Sequence, residues 1–185
     1  IHKAGKTSSM FDVFIICCTI GIQLGNRDVA ANLVSRIANA AEKLRAKTVI
    51  SPECGHAFQA VRWEGPNLIG REYKFEVRHI IEVLDQLGAE GKLKVNGEKD
   101  HAKLTFHDPC QVVRRGGVIK EPRNLLNMVA DNFVETEDAG LMIWCCSGGG
   151  GVGANERAHD IQAKAFGRKK KQIDDVGPEK IVTMC

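Results

Sequence analysis

The sequence predicts an α/β protein made of two similar units. Short apolar runs, typical of buried strands, alternate with amphipathic patterns of helical spacing, and this order packs helices against parallel strands. The chain also repeats itself, because each half contains a strand, a cysteine pair, a glycine-rich loop, a helix, a second strand and a further cysteine. We therefore expect an internal duplication, with one unit over residues 1–100 and the second over residues 101–185.

Composition limits the classes of protein to consider. The 185 residues are 43% hydrophobic and 26% charged, as in an ordinary globular protein with an apolar core. The net charge of +3 is too small to predict a nucleic-acid partner, and no apolar run approaches the ~20 residues of a membrane-spanning helix. Seven cysteines in this composition favour a reducing compartment over a secreted disulfide scaffold. The start at Ile1 and the end at Cys185 predict a longer natural chain.

The first half contains three predicted elements before its isolated cysteine. The apolar run at residues 11–18 predicts a strand that ends in a cysteine pair. Apolar residues of helical spacing predict an amphipathic helix over residues 28–47, and residues 48–50 then predict a short buried strand. The loop after that strand contains Cys54, and residues 56–72 show no clear pattern.

Two helices and three strands are predicted in the rest of the chain. Apolar periodicity predicts helices over residues 75–87 and 155–171 and strands over residues 103–106, 141–144 and 181–183. The later helix ends in a basic run, Arg168-Lys169-Lys170-Lys171, where positive charge complements the helix dipole. This run favours a solvated helix face, with docking to a partner protein as the second interpretation.

The second half carries the strongest chemical signal, a set of four cysteines. Cys110 follows the strand of residues 103–106 in the word HDPC, Cys145-Cys146 follows the next strand, and Cys185 follows the last. Adjacent cysteines rarely bond to each other, because disulfide geometry strains a vicinal pair. Thiolates that converge from separate loops at the carboxyl ends of strands suit a soft metal centre, either an iron–sulfur cluster or zinc. We therefore predict these four cysteines as metal ligands.

The loop after the cysteine pair is rich in glycine. Gly148, Gly149 and Gly150 allow the backbone to wrap closely around an inorganic core, and their amides can donate hydrogen bonds to sulfur. The run that ends at Gly153 also satisfies G-x-G-x-x-G, so a dinucleotide-binding loop stays open as an alternative. Structural zinc and simple burial of the cysteines are two further alternatives, although zinc sites favour C-x(2–4)-C spacings that the chain lacks.

The cysteine spacing resembles the cysteine-rich CCG domain, C-x(31–39)-CC-x(35–36)-C-x-x-C. That domain occurs in the B/D-type subunits of heterodisulfide reductases and in iron–sulfur subunits of glycolate- and glycerol-3-phosphate-oxidising systems. The words HDPC, CCSGGGGVGANERA and SPECGHAF look most like the DsrK-type subunit of the sulfite-reduction-associated DsrMKJOP membrane complex. The resemblance covers nearly the whole chain.

The resemblance implies a non-cubane [4Fe-4S] cluster held by five cysteines. Cys110, Cys145, Cys146 and Cys185 match four of the five ligand positions, and the fifth would follow three residues after Cys185. The gap of 38 residues before Cys185 is slightly longer than the family range. Additional cubane [4Fe-4S] clusters are expected outside this chain, because the C-x-x-C-x-x-C-x-x-x-C-P run of their ferredoxin-like segment is absent here.

The first half departs from the family pattern. It has a cysteine pair and Cys54, but Ala57 stands where the last cysteine of C-x-x-C belongs. Either this copy binds no cluster, or Cys54 and His56 line the substrate pocket facing the second-half cluster, and the two interpretations are compatible. His107 is a third candidate catalytic residue that donates a proton or hydrogen bond beside the cluster, although a histidine before Asp-Pro also fastens turns.

By this resemblance the chain is the catalytic region of a heterodisulfide-reductase-like oxidoreductase acting on sulfur groups in anaerobic respiration. Electrons from the cubane clusters would reduce, or in reverse form, the disulfide or trisulfide of a small molecule or of a DsrC-like sulfur-carrier protein. The other expected partners are subunits of a redox complex, and the expected location is the cytoplasm, at the inner face of the membrane. An electron-transfer subunit of a flavin-linked glycolate, lactate or glycerol-3-phosphate dehydrogenase is the first alternative, and a dinucleotide-binding module is the second.

Overall fold

A computed structural model describes residues 19–150 and 155–184 of the chain. The predicted first strand, the pair Cys17-Cys18 and Cys185 lie outside the described residues. The strands are β1 Thr48–Ser51, β2 Glu76–His79, β3 Leu104–His107 and β4 Lys180–Thr183. The α-helices are α1 Thr19–Gln23, α2 Arg27–Lys43, α3 Gly55–Gln59, α4 Gly65–Ile69, α5 Ile80–Ala89, α6 Glu121–Val129 and α7 His159–Val176. A π-helical turn spans Ala60–Glu64, and 3₁₀ turns span Gly140–Met142 and Glu156–Ala158.

The strands of the described residues pair in two parallel sheets of two strands each. β1 pairs with β2 so that Ser51 lies opposite His79, and β3 pairs with β4 so that His107 lies opposite Thr183. Parallel strands need long crossover connections, and the helices between the paired strands supply them. The prediction of a mixed α/β protein is confirmed, whereas the internal duplication and the unit boundaries stay predictions.

α2 confirms the predicted helix over residues 28–47, although it ends four residues earlier, at Lys43. Asn26 caps its start, because Oδ1 accepts a hydrogen bond from the Val29 amide at 3.0 Å. The buried face of α2 joins the segment after β3 in one core. This core includes Val34, Ile37, Ala38, Ala41, Phe58, Val77, Val112 and Val118.

The predicted helix over residues 75–87 is wrong at its start. Its first residues form β2, and helical structure begins only at Ile80, in α5. Val77 and His79 are buried while the residues between and before them are not, which is the two-residue period of a strand. The sequence hides this strand because it is four residues long and the helix follows without a loop.

His79 is fully buried and joins β2 to α5. Its Nδ1 accepts a hydrogen bond from the Ile81 amide, and its Nε2 then donates to the Glu53 carbonyl oxygen at 3.1 Å. Burial lowers the pKa of His79 below its ordinary value, against the opposing effects of the Glu53 carbonyl and the Glu82 carboxylate. The folded state therefore favours the neutral imidazole.

Acid should destabilise the protein through His79. As the pH falls through about 6.5, the unfolded state takes up a proton on this histidine before the folded state does. Above that pH, neutral His79 makes its full contribution to the free energy of unfolding. Below that pH, this contribution decreases by at most about 1.4 kcal/mol per pH unit. Urea titrations of the metal-depleted protein at about pH 7.5 and 5.5 measure this fall, which should be smaller in His79→Gln. An equal fall in both proteins would contradict the prediction.

The predicted strand over residues 141–144 is wrong. Gly140–Met142 forms a 3₁₀ turn, and no described strand pairs with it. Leu141 is 56% exposed, so this apolar run is not a buried strand. The carbonyl oxygens of Leu141 and Ile143 instead accept hydrogen bonds from the Arg114 guanidinium. The second cysteine pair therefore follows an irregular segment that an arginine side chain holds in place.

The other predicted elements within the described residues are confirmed. β1, β3 and β4 form within one residue of the predicted runs. α7 begins at His159, four residues later than the helix predicted over residues 155–171, and extends to Val176. α6 occupies a stretch for which the sequence predicted no element. Within the described parts of the chain, none of the helices combines the length and apolar character needed to cross a membrane.

Candidate metal centre

Three loops meet near the carboxyl ends of the strands. Cys54 follows the end of β1 by three residues, and Cys110 follows the end of β3 by three residues. The third loop, residues 145–150, carries the cysteine pair and the glycines. The ends of β1, β2 and β4 face one cavity of about 440 Å³. Its lining residues are Pro52, Glu53, His79, Ile81, Thr183 and Met184.

Cys110 and Cys145 lie side by side. Their Sγ atoms are 3.9 Å apart, which is too far for a disulfide bond of about 2 Å. Two thiolates on one tetrahedral metal ion, each bound at about 2.3 Å, would lie about 3.8 Å apart. The separation of these two sulfur atoms therefore matches that of two ligands on one metal atom.

Backbone amides of the glycine-rich loop point at sulfur. The Ser147 amide donates to Cys145 Sγ at 3.3 Å, and the Gly148 amide donates to Cys146 Sγ at 3.5 Å. Ser147 has a φ of 62°, in the left-handed region that few residues other than glycine adopt, and this turn directs both amides back to the cysteines. Hydrogen bonds to sulfur tune the reduction potential of iron–sulfur clusters. The Gly148 amide would therefore influence the potential of a cluster bound by Cys146.

Asp108 joins the loop after β3 to the segment before the cysteine pair. Its buried carboxylate accepts two hydrogen bonds from the Arg123 guanidinium, at 2.6 and 2.7 Å, and one from the Gly140 amide at 2.9 Å. Arg123 also pairs with Glu135 at 2.7 Å. Burial lowers the pKa of Arg123, but hydrogen bonds to both carboxylates outweigh it and raise that pKa above its ordinary value. The Asp108 carboxylate therefore links the loop of Cys110 to the segment before Cys145 through the Gly140 amide, and Arg123 holds this carboxylate in place.

Gly55 packs the loop after β1 onto the loop after β3. A Cβ atom at Gly55 would lie 2.6 Å from Val112 Cγ2 and 2.9 Å from the Val112 backbone nitrogen. Atoms cannot approach so closely, and the backbone atom cannot rotate away. Only glycine therefore allows the two loops to approach at this position.

Gly55→Ala should lower the free energy of unfolding by about 1–3 kcal/mol, because the added methyl group overpacks this contact. Gly167→Ala is the matched control, since a Cβ there meets no atom within 4 Å outside its own helical turn. Within α7, alanine should raise the stability by up to about 1 kcal/mol. Chemical denaturation measures both changes, and effects of the same sign would count against the tight loop contact.

His56 lies against the glycine-rich loop. A Cβ atom at Gly149 would lie 3.2 Å from His56 Cε1, and one at Gly150 would lie 3.5 Å from His56 Nε2. Cys54 precedes α3, where its Sγ accepts a hydrogen bond from the Ala57 amide at 3.5 Å. The structure therefore places Cys54 and His56 of the first half beside the loops that carry the second-half cysteines.

His107 is the last residue of β3, three residues before Cys110. Its Nδ1 is buried and has no hydrogen-bond partner among the described residues, so this atom fastens no turn there. Burial lowers the pKa of His107, and the nearby charge of Lys169 lowers it further, while Asp108 acts in the opposite direction. The role of His107 as a proton or hydrogen-bond donor stays a prediction.

Lys169 is buried, so the predicted solvated face of the basic run is wrong for this residue. Only 2% of Lys169 is exposed. The side chains of Arg168, Lys170 and Lys171 are 54%, 61% and 73% exposed. The side chain of Lys169 thus lies on the inner face of α7, and the run divides into three solvated cations and one buried cation.

The described residues contain only part of the predicted ligand set. Among them, no group of three or more histidine, cysteine, aspartate or glutamate side chains is arranged to hold a metal ion. Cys185 lies outside the described residues, two positions after β4 ends. The donor chemistry nevertheless fits an iron–sulfur cluster, because paired thiols, amide donors to sulfur and a glycine-rich wall occur together. Cys110, Cys145 and Cys146 are the described residues that would hold it.

The structure does not provide the strand that the dinucleotide-binding alternative requires. Its fingerprint needs a strand directly before the glycine loop, and residues 141–144 form no strand. Residues 151–154, which complete the fingerprint, lie outside the described residues.

Sequence reasoning missed Asp108, Arg123 and Lys169 as residues of this region. Asp108 gave a local signal, since a carboxylate directly after a buried strand needs a partner. Arg123 gave none, because its partner lies 15 residues away along the chain. Lys169 was hidden by three basic neighbours that are solvated.

Comparison with known proteins shows which domain family the chain resembles. Residues 104–185 match the family model of the cysteine-rich domain CCG. "EtfAB:quinone oxidoreductase" of Syntrophomonas wolfei is 33% identical over 100% of this chain and 26% of its own length. The D-type subunit of the "Dihydromethanophenazine:CoB--CoM heterodisulfide reductase" of Methanosarcina acetivorans is 33% identical over 100% of this chain and 46% of its own length. "Hdr-like menaquinol oxidoreductase iron-sulfur subunit" of Archaeoglobus profundus is 28% identical over 70% of this chain and 29% of its own length.

The family match begins at the first residue of β3 and includes all four predicted ligands. The chain spans about a quarter to a half of the length of these relatives. Two of the three carry heterodisulfide reductase or Hdr-like in their names, and the similarity to DsrK-type subunits stays a prediction. Residues 104–185 therefore belong to the cysteine-rich CCG domain family, and the chain is similar to heterodisulfide-reductase-like iron–sulfur subunits.

Proposed function

We propose that this chain is the catalytic region of a heterodisulfide-reductase-like oxidoreductase. Cys110, Cys145, Cys146 and Cys185 would hold a non-cubane [4Fe-4S] cluster, with a fifth cysteine supplied by the natural protein after Cys185. The observation that carries the proposal is the approach of Cys110 Sγ and Cys145 Sγ to 3.9 Å within a CCG domain. The amide hydrogen bonds to Cys145 and Cys146 support it.

The proposed reaction is reduction of a disulfide or trisulfide, or its reverse. For a disulfide, two electrons from cubane [4Fe-4S] clusters outside this chain and two protons convert one S–S bond into two thiols. When bound, a cluster of this kind supplies one-electron transfer and an iron atom at which a sulfur atom can bind. Burial lowers the pKa of His107, so its imidazole favours the neutral form, which can exchange hydrogen bonds beside the proposed cluster.

The space for substrate is the cavity at the strand ends. It lies beside the loop of Cys54 and at the end of β4, which leads to Cys185. Cys54 and His56 would then line the approach to the second-half cysteines, as expected from the sequence. The residues next to the cavity thus come from both halves of the chain, which supports a substrate held between them.

Partners and location follow from the same proposal. The relatives named as subunits are parts of larger assemblies, and this chain spans at most about half of the three relatives described above. We propose that other subunits of a redox complex deliver the electrons, at the cytoplasmic face of the membrane. The substrate would be a small thiol or disulfide molecule or a DsrC-like carrier protein.

A second candidate is electron transfer without sulfur chemistry, as in the iron–sulfur subunit of a flavin-linked 2-hydroxy-acid or glycerol-3-phosphate dehydrogenase. One observation favours it, because a relative that covers the whole chain is named an EtfAB:quinone oxidoreductase. In that case the cysteines would hold a cluster that only passes electrons.

Ligand-dependent EPR separates the two candidates. The natural full-length protein is oxidised under anaerobic conditions, and its spectrum is recorded before and after addition of an alkyl thiol, a dialkyl disulfide or a 2-hydroxy acid. Disulfide chemistry predicts that the thiol or disulfide changes the signal, while the 2-hydroxy acid does not. A signal that no sulfur compound changes would contradict the reductase proposal and favour the second candidate.

A further inference from the structure

A cavity walled entirely by apolar residues lies against the sheet of β3 and β4. It is bounded by α5, the segment after α5, α6 and the two strands, with Leu84, Phe106 and Val182 among its lining residues. Its volume is about 310 Å³. It reaches the surface at Val95 and Val129, which line it and are 41% and 40% exposed. The cavity is therefore open to a ligand from solution.

Water is a poor occupant of this cavity. Protein interiors contain few voids larger than one water molecule, whose share of liquid volume is about 30 Å³. A water molecule inside a protein needs about two to four polar partners, and all the side chains that line this cavity are apolar. An apolar ligand instead gains free energy in proportion to the apolar surface that leaves water. The cavity is thus suited to a hydrocarbon group.

The apolar cavity adjoins the cavity at the strand ends, which is the one proposed for the substrate. Ile81 and Met184 line both cavities and form the boundary between them. The cavity at the strand ends differs in chemistry, because Glu53, His79 and Thr183 also line it. A linear ligand with its sulfur atom in that cavity would extend a hydrocarbon end past Ile81 and Met184 into the apolar one.

We propose that the apolar cavity holds an unbranched alkyl chain, the tail of the thiol or disulfide whose sulfur atom is bound at the strand ends. The inference rests on the proposed function, because the sulfur end of this ligand is the reacting group. Cys185, a predicted cluster ligand, follows Met184 directly in the sequence, so the boundary of the two cavities is also the part of the lining closest in sequence to the cluster ligands. The cavity would therefore select substrates by the length of their hydrocarbon part.

The test measures the dissociation constants of ethanethiol, butanethiol and hexanethiol with the natural full-length protein, without oxygen, by isothermal titration calorimetry. Each buried methylene group should tighten binding by about two- to fourfold. Val129→Trp obstructs the mouth of the cavity and should remove this dependence on chain length, while the binding of ethanethiol stays unchanged. Val95→Trp is a second, independent obstruction with the same expected result. Val29→Trp is the matched control and should behave as wild type, since Val29 is a helical valine, 41% exposed, that does not line the cavity.

Three results would overturn the inference. The first is equal affinity for the three thiols, and the second is a dependence on chain length that both obstructed variants retain. The third is hexanoate that binds as tightly as hexanethiol and loses affinity in Val129→Trp, because the cavity would then serve a free fatty acid.

The EPR signal separates this inference from the proposed function. If thiols change the signal but their affinity does not depend on chain length, the inference fails and the reductase proposal stands. If no thiol binds or changes the signal, the proposed function fails and the inference fails with it.

Discussion

Replacing Cys145 with alanine should abolish retention of the proposed cluster. The Cys145 thiol is one of the two sulfur atoms that already lie 3.9 Å apart, and the Ser147 amide directs a hydrogen bond to it. Loss of this thiolate removes one iron–sulfur bond of the proposed cluster, whose ligands among the described residues are Cys110, Cys145 and Cys146. Iron and acid-labile sulfide of the purified full-length variant should fall to the amount held by the cubane clusters alone.

The matched control for this prediction is Cys17→Ala, in the cysteine pair of the other half. If the first half binds no cluster, that change should leave the iron content within error of wild type. Cys146→Ala should behave like Cys145→Ala. Wild-type iron in either second-half variant would show that the ligands have been assigned to the wrong cysteines.

Asp108→Asn should cause the largest loss of stability, about 3 kcal/mol in the free energy of unfolding. The substitution removes one charge of a buried pair and leaves the Arg123 guanidinium without its closest partner, a change that commonly costs about 3–5 kcal/mol. We expect the lower end of this range because Arg123 keeps its contact with Glu135. Urea denaturation of the metal-depleted protein measures the loss.

Glu135→Gln provides the control, because this carboxylate binds the same guanidinium but is 40% exposed. Exposed ion pairs contribute about 1 kcal/mol or less, so the loss should be correspondingly small. Equal losses in the two variants would mean that burial of Asp108 is not what makes the pair strong. The Asp108 variant should also retain less iron, since the Asp108 carboxylate links the loop of Cys110 to the segment before Cys145.

Periodicity predicted most elements of the fold, most clearly α2, whose apolar residues form one buried face. α2 and α7 show the helical spacing, and β1, β3 and β4 are short apolar runs. The prediction failed at two places. At β2 and α5 a strand continues directly into a helix without a loop, and at residues 141–144 an apolar run forms no paired strand. In the second case the carbonyl groups are satisfied by Arg114, 27 or 29 residues away in sequence, which no local pattern reports.

The residue types of the candidate site were predictable from the sequence, but the contacts that hold these residues in place were not. Vicinal cysteines and a glycine-rich loop indicate a metal site even when the strand before them is predicted wrongly. The pairing of Asp108 with Arg123, the contact of Gly55 with Val112 and the burial of Lys169 depend on residues that only the folded chain brings together. The roles predicted for His107, Cys54 and His56 stay predictions.

The most direct measurement of the proposed cluster is the content of iron and acid-labile sulfide in the full-length natural protein, prepared without oxygen and examined by EPR. We expect about four iron atoms more than the cubane clusters explain, with a signal that disappears in Cys145→Ala. Iron that matches the cubane clusters alone, or zinc at the second-half cysteines, would contradict a catalytic cluster at this site.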